Sequence, residues 1–185
     1  EDTAMFVKLS QGKVKIDREL EARLYRQTWE QLEANGYAQY ETSNFARLGH
    51  ACRHNLITWE MGAWIGYGPS SASQWGRRRW TNPANLDQWI QGIEAGAPVL
   101  EQVKDLSAAD LLCDALVFGL RLNAGVNPAA LAARFATPLP ARVSHLFEAL
   151  VEEGLMEAAG SQVRLTGEGR MRADAVGVSI LERFD

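Results

Sequence analysis

The sequence is poor in cysteine and contains no long apolar run. Its only two cysteines, Cys52 and Cys113, lie far apart and form no CxxC motif. This usage is typical of a protein of the reducing cytosol, and it excludes an iron–sulfur cluster held by this chain alone. No apolar run reaches the ~18 residues of a membrane span, and no charged-then-apolar leader is present. These features predict a cytoplasmic protein. Because the chain opens without Met, we also expect it to be a fragment of a larger protein.

A surplus of basic residues is also missing. The formal net charge is −4 at neutral pH, and the sequence pI is about 5.5. Binding to nucleic acid draws most of its affinity from neutralised phosphates, so this balance argues against a nucleic-acid partner. Apolar residues make up 46% of the chain, with six Trp, six Phe and four Tyr, which indicates a folded core rather than disorder.

The first half predicts helices alternating with extended pieces. A helix is expected from Asp17, which can cap it, to residue 35. Residues 37–46 alternate and are rich in aromatics, which predicts a strand, and residues 54–59 and 64–73 read as two more extended pieces. A further helix is expected after the cap Asn82. This alternation is typical of the last units of an α/β sheet.

The second half predicts a smaller, mainly helical unit. A boundary near residues 99–106 divides the chain into domains 1–104 and 105–185. A capping box at 106–110 opens the first helix, and Pro128 and Pro140 open two more. Gly160 and Ser161 form the turn of a hairpin, and a final helix follows. This order predicts a winged-helix-like domain.

Winged helices often bind DNA through the third helix. Here that helix, "PARVSHLFEALVEEG", has one Arg and three Glu, whereas a groove-reading helix needs cations and donors. We therefore favour a packing or lid domain, and DNA binding remains a remote alternative.

The stretch "CRHNLITW" (52–59) leaves three hypotheses open. In an extended chain, His50, Cys52 and His54 would share one face and could bind a metal, although closed metal sites usually draw ligands from two loops. His54 alone could be an axial haem ligand against an apolar wall that includes Trp59 and Trp64. A histidine bonded to a backbone carbonyl is the structural alternative.

Two further motifs could hold a ligand. In "GYGPSSAS" (66–73), Gly66 and Gly68 would let the backbone approach a nucleotide, yet the third glycine of GxGxxG is missing and a strand-end turn is the alternative. "RRRW" (77–80) could bind carboxylates or phosphates through its arginines, or simply be solvated.

Together these motifs resemble a known family. "GYAQYETSNFARLGHACRHNLITW" and "IGYGPSSAS" are similar to segments of the radical-SAM haem-biosynthesis family, which contains the oxygen-independent coproporphyrinogen III oxidases and related haem chaperones. "GLRLNAGV" (119–126), "LFEALVEEGLM" (146–156) and "RLTGEG" (164–169) extend the resemblance over nearly the whole chain.

The resemblance implies a fold and a set of site residues. The fold would be the α/β end of a partial (β/α) radical-SAM barrel, followed by a mostly α winged-helix-like domain. The implied haem-associated residues are His54, Asn55 and Trp59, the implied S-adenosylmethionine contacts are Gly66, Gly68, Ser71 and Ala72, and the possible propionate contacts are Arg77, Arg78 and Arg79.

Three departures from the family pattern stand out. Thr58 stands where the chaperones have Tyr, Ala72 where they have His, and the CxxxCxxC cluster motif is absent. The resemblance implies haem binding and delivery, with coproporphyrinogen III oxidation as the alternative. A 4Fe-4S cluster and S-adenosylmethionine would belong to the full-length protein, so no catalytic residue and no activity are expected of this chain alone. The implied partners are haem or porphyrinogen and haem-accepting proteins, and the exposed edges of a truncated barrel make self-association a further expectation.

Overall fold

The computed structural model describes residues 3–184. Its helices are α1 (Ala4–Ser10), α2 (Arg18–Ala34), α3 (Arg53–Trp59), α4 (Leu86–Glu94), α5 (Ala108–Gly119), α6 (Pro128–Arg134), α7 (Ala141–Glu152), α8 (Gly167–Arg170) and α9 (Ala173–Leu181). Its strands are β1 (Ala38–Glu41), β2 (Asn44–Ala46), β3 (Ala72–Trp75), β4 (Arg78–Thr81), β5 (Glu101–Asp105), β6 (Met156–Ala159) and β7 (Gln162–Leu165).

The strands form three small antiparallel sheets. β1 pairs with β2, β4 lies between β3 and β5, and β6 pairs with β7. The architecture is therefore mixed α/β. The end of a (β/α) barrel would contribute parallel strands, and none of the strand pairings between residues 3 and 184 is parallel, so the barrel stays a prediction.

The stretch predicted as extended at 54–59 is the helix α3, which corrects the sequence expectation. Asn55, Leu56 and Trp59 are half-buried, whereas His54 and Ile57 are exposed, and this spacing fits a period of 3.6 residues. A short run of this kind has too few residues for its periodicity to distinguish helix from strand.

Two other boundaries also differ. The strand predicted over 37–46 is a hairpin, since the chain turns at Thr42 and Ser43 between β1 and β2. The cap of α4 is Asn85, whose side chain accepts a hydrogen bond from the Gln88 amide at 2.9 Å, and not Asn82. The two asparagines lie three residues apart, so either could have been the cap from the sequence alone.

The hydrophobic core lies in the second half. Leu112 and Leu116 of α5, Val143 of α7, Met156 of β6 and Ile180 of α9 are at most 2% exposed. By contrast, α1 and α2 bury no residue completely. The chain thus gains most of its apolar stabilisation from the helices and hairpin after residue 105.

The predicted capping box of α5 is confirmed. The Ser107 hydroxyl accepts from the Asp110 amide at 3.0 Å, and the Asp110 carboxylate accepts from the Ser107 amide at 2.8 Å. Hydrogen bonds from the Ser107 backbone, and then from its hydroxyl, hold the pKa of the Asp110 carboxyl below its usual range. The cap therefore favours the ionised carboxylate.

The β1–β2 hairpin is joined to the segment that follows α5. The Arg121 carbonyl accepts from the Thr42 amide at 2.9 Å, and the Asn123 amide donates to the Tyr40 carbonyl at 3.1 Å. The Asn123 side chain also donates to the Gln39 carbonyl at 2.8 Å. The motif "GLRLNAGV" is thus a structural joint between the two halves of the chain.

Candidate functional site

Helix α3 presents its predicted site residues on different sides. Trp59 faces the second half, where its ring meets Phe118 of α5 edge-on at 5.8 Å. Asn55, one turn earlier, has its side-chain nitrogen 3.4 Å from the Tyr40 hydroxyl. His54 is exposed. Five residues along a helix amount to a rotation of about 140° net, so the His54 imidazole points away from Trp59.

The predicted aromatic wall is largely covered by arginines. The Arg121 guanidinium lies 5.3 Å from the Trp59 ring centre and is paired with Asp174 at 2.9 Å. The Arg79 guanidinium lies 6.0 Å from the Trp64 ring centre. The Trp59 Nε1 is buried without an acceptor among the described residues. Trp59 therefore anchors α3 to α5, and His54 is the exposed one of the three predicted site residues on this helix.

The metal hypothesis for His50, Cys52 and His54 is not supported by the arrangement. Between residues 3 and 184, no three His, Cys, Asp or Glu side chains are grouped so that they could hold a metal ion. The physical reason is that His54 lies in a helix, so the alternation of a strand does not apply. Cys52 is exposed and Cys113 is buried in the core, so the described cysteines do not fit a 4Fe-4S cluster.

The glycine loop, defined here as residues 66–72, is held together by Asn82. The Asn82 side-chain nitrogen lies 3.0 Å from the Gly68 carbonyl, 3.0 Å from the Ser71 hydroxyl and 3.3 Å from the Gly66 carbonyl. A Cβ added at Gly66 would lie 2.4 Å from the Ala72 carbonyl oxygen. Gly66 is therefore required by the packing of the loop on itself.

The tip of the glycine loop is open. Gly68 has a φ of +95°, and a Cβ at that position would meet nothing within 4 Å. The neighbouring Tyr67 is 88% exposed. The Ser71 hydroxyl already donates to the Gly68 carbonyl at 2.7 Å, and Ala72 pairs with Thr81 in the sheet. Of the four predicted cofactor contacts, Gly68 is thus the one whose backbone a ligand can approach freely.

The three arginines of "RRRW" have different surroundings. The Arg77 side chain donates to the Leu106 carbonyl at 2.8 Å. Arg79 donates to the side-chain oxygen of Gln74 and forms an ion pair with Asp114 at 2.8 Å. Arg78 is exposed and has no hydrogen bond or ion pair of its side chain among the described residues. Arg78 is therefore the member of the group that is available to an external anion.

Several residues that hold this region in place could not be singled out from the sequence. Asp114 and Phe118 lie on α5, one turn apart, and both contact Arg79, with the guanidinium 6.0 Å from the Phe118 ring centre. Gln74 is 2% exposed and accepts from the same arginine. In the sequence, α5 shows a capping box and a regular apolar face, which do not indicate these contacts. Asn82 lies close to the arginine segment in sequence, so a role in this region could have been suspected.

The chain is similar to several known proteins along most of its length. Residues 106–172 match the family described as HemN C-terminal domain. The heme chaperone HemW of Mycobacterium tuberculosis (strain H37Rv) is 31% identical over 175 residues, which is 94% of this chain and 43% of that protein. The heme chaperone HemW of Bacillus subtilis (strain 168) is 28% identical over 176 residues, 94% of this chain and 46% of that protein.

A mitochondrial relative and a solved structure agree with these matches. The radical S-adenosyl methionine domain-containing protein 1 of Bos taurus is 31% identical over 134 residues, 68% of this chain and 30% of that protein. The fold is similar to that of coproporphyrinogen III oxidase (HemN) from Escherichia coli, a radical SAM enzyme, with a TM-score of 0.70 and 17% identity over 93% of this chain and 44% of that chain.

The second half carries a HemN C-terminal domain. Over nearly its whole length the chain is similar to heme chaperones HemW, and its fold is similar to that of a coproporphyrinogen III oxidase, as the sequence motifs had indicated. It spans less than half the length of the HemW relatives described above. Within residues 3–184, no helix is both long and apolar enough to cross a membrane.

Proposed function

We propose that this chain takes part in haem binding and delivery as the C-terminal part of a cytoplasmic, HemW-like protein. The observation that supports this most directly is the similarity to proteins named heme chaperone HemW, which extends over 94% of the chain and includes α3. Haem is the cargo in this proposal, and haem-accepting proteins are the partners.

The exposed face of α3 is the proposed haem contact. The His54 imidazole is accessible, and neutral imidazole is a common axial ligand of haem iron. Asn55 and Trp59 would not touch the haem but would hold α3 in place, since Asn55 contacts Tyr40 and Trp59 contacts Phe118. Arg78 is the arginine of its group that could pair with a propionate.

Finer features of the family fold are part of the same proposal. The order α5, α6, α7, β6, β7 supports a winged-helix-like second domain, and an antiparallel bridge pairs Val126 with Val163 of the hairpin. The 4Fe-4S cluster would need ligands from outside the described residues. The open Gly68 backbone is the proposed contact for the adenosyl part of S-adenosylmethionine.

A haem titration tests the role of His54. All three histidines, His50, His54 and His145, are exposed, so the chain offers matched controls. We expect the chain to bind haem with a shifted Soret band, and His54→Ala to weaken binding by at least about tenfold, the loss of roughly 1.4 kcal/mol. His145→Ala should bind as the parent does. Equal binding by His54→Ala and the parent would refute the ligand role.

The alternative function is coproporphyrinogen III oxidation. The likeness to the Escherichia coli HemN fold favours it as the second candidate. The test is anaerobic turnover of coproporphyrinogen III by a full-length protein that contains this chain, with S-adenosylmethionine and a reductant. Turnover would favour the oxidase, and haem uptake without turnover would favour the chaperone.

A further inference from the structure

Away from α3, a double cleft separates helix α2 from the C-terminal helices α8 and α9. Its two adjoining parts have volumes of about 390 and 770 Å³, in the range of sites that hold small organic molecules. Both parts are lined by Arg26, Trp29, Glu168 and Arg170. None of the haem, S-adenosylmethionine or propionate contacts predicted from the sequence lines either part, so the cleft is separate from the candidate site around α3.

The larger part of the cleft has more arginines than carboxylates. Its three acidic residues already have ion-pair partners: Glu21 pairs with Arg18 at 3.2 Å, Glu168 with Arg26 at 2.8 Å and Asp174 with Arg121 at 2.9 Å. Arg170 and Arg172 line the same cleft and have no carboxylate partner among the described residues. Glu30 and Glu33 line only the smaller part. In a chain of net charge −4, this is a local surplus of positive charge.

Arg170 stands at the junction of the two parts and is incompletely bonded. Its Nε is buried without an acceptor in the described part of the chain, and one terminal nitrogen lies 3.4 Å from the Leu165 carbonyl. Burial, and then the neighbouring Arg164 guanidinium, lower the pKa of Arg170 from its ordinary value. A guanidinium that is partly desolvated and has only this one long hydrogen bond is unfavourable, and an external anion that pairs with its terminal nitrogens would offset that cost.

The wall beside Arg170 is aromatic. The Arg170 guanidinium lies over the Trp29 ring at 5.3 Å. Trp29 meets Tyr25 edge-on at 6.4 Å, and Tyr25 is 51% exposed toward the larger part. Rings of this kind bind flat apolar bodies, and the guanidinium fork binds carboxylates. We propose that the cleft between α2 and α8 binds an organic anion in which a flat apolar body carries a carboxylate group.

Binding of 1-pyrenebutyrate, a fluorescent planar carboxylate, tests this proposal. The control ligand is 1-pyrenebutanol, which has the same ring system without the charge. We expect saturable binding of the acid to the chain, at least about tenfold tighter than binding of the alcohol. The reason is that only the acid can accept a charge-assisted hydrogen bond with its carboxylate. Absence of saturable binding, or equal affinity for the two ligands, would overturn the proposal.

Variants then locate the site. Arg170→Gln should weaken binding of 1-pyrenebutyrate by about tenfold or more, and Arg23→Gln, an exposed arginine on α2 that lines neither part of the cleft, should leave it unchanged. Should Arg170→Gln fail to fold, as judged by circular dichroism, exposed Arg172→Gln takes its place and should weaken binding by about threefold or more, through lost charge. Unchanged affinity for 1-pyrenebutyrate in the folded variant, Arg170→Gln or Arg172→Gln, would contradict binding in this cleft. An equal loss of affinity in Arg23→Gln would contradict it as well.

Discussion

Substitution of Arg79 tests whether the arginine segment, residues 77–79, has a structural or a ligand-binding role. Replacing it with Gln removes the ion pair between Arg79, whose side chain is 28% exposed, and Asp114, whose side chain is 19% exposed. The replacement also removes the guanidinium contacts with Trp64 and Phe118. Breaking a fully buried pair destabilises by ~3–5 kcal/mol, whereas an exposed pair contributes ~0–1 kcal/mol. For this intermediate burial we expect a loss of about 2–3 kcal/mol, or roughly 5–10 °C in Tm for a chain of this size.

The assay is urea unfolding followed by far-UV circular dichroism. Arg78→Gln is the matched control on the same strand, and as an exposed substitution it should change the free energy of unfolding by less than ~0.5 kcal/mol. A double-mutant cycle with Asp114→Asn should show a coupling of about 1 kcal/mol or more. If Arg79→Gln is no less stable than Arg78→Gln, the structural role is refuted, and a loss of haem binding without a loss of stability would instead favour a propionate contact.

Three further predictions concern the loops and caps. Gly125 and Gly154 share a φ of +71°, but only at Gly125 would a Cβ meet backbone, 2.1 Å from a carbonyl oxygen. In urea unfolding, Gly125→Ala should therefore cost about 3 kcal/mol against about 1 for Gly154→Ala, and equal losses would contradict this reading. Asn82→Ala should speed amide hydrogen exchange in the glycine loop, as measured by mass spectrometry. Asn85→Ala should instead lower the free energy of unfolding by about 1 kcal/mol through the lost helix cap and leave exchange in the loop unchanged. Faster loop exchange in Asn85→Ala but not in Asn82→Ala would be inconsistent with the observed hydrogen bonds. The lowered pKa of Asp110 means that its stabilising effect is present above the ordinary carboxyl pKa of about 3.9 and is lost as the pH falls through the lower folded-state pKa. The stability difference between the parent and Asp110→Asn should thus be constant near neutral pH and shrink below about pH 4, and a constant difference down to pH 2 would contradict the shift.

Prediction from sequence succeeded where the determining residues are neighbours. The capping box at Ser107 and Asp110, the helix opened by Asn127 and Pro128, and the turn at Gly160 and Ser161 are all confirmed. Each of these features is specified within four residues of chain, through a side-chain cap or a backbone conformation that few residue types favour. The family motifs were also read correctly, since they consist of short, fixed strings.

The site was predicted less well because its contacts join distant parts of the chain. The residues named for it stay predictions, and the orientations of their side chains could not be inferred from the sequence. His54 was expected to bind haem against an apolar wall that includes Trp59, and the helical turn between them separates the two side chains. Arg79 was predicted as a possible propionate contact, and its ion-pair partner Asp114, 35 positions further along the chain, could not be inferred from the sequence.

The amino-acid sequence by itself determined the family resemblance and the helices and hairpin of the second half, and it supplied the candidate ligand-binding residues. Those properties follow from local patterns and from short motifs. Only the tertiary structure decided that Trp59 anchors α3 to α5, that Asn82 holds the glycine loop, and that the Arg170 guanidinium lies over the Trp29 ring. The physical reason is that burial and charge pairing depend on which segments meet, and spacing along the chain does not contain that information.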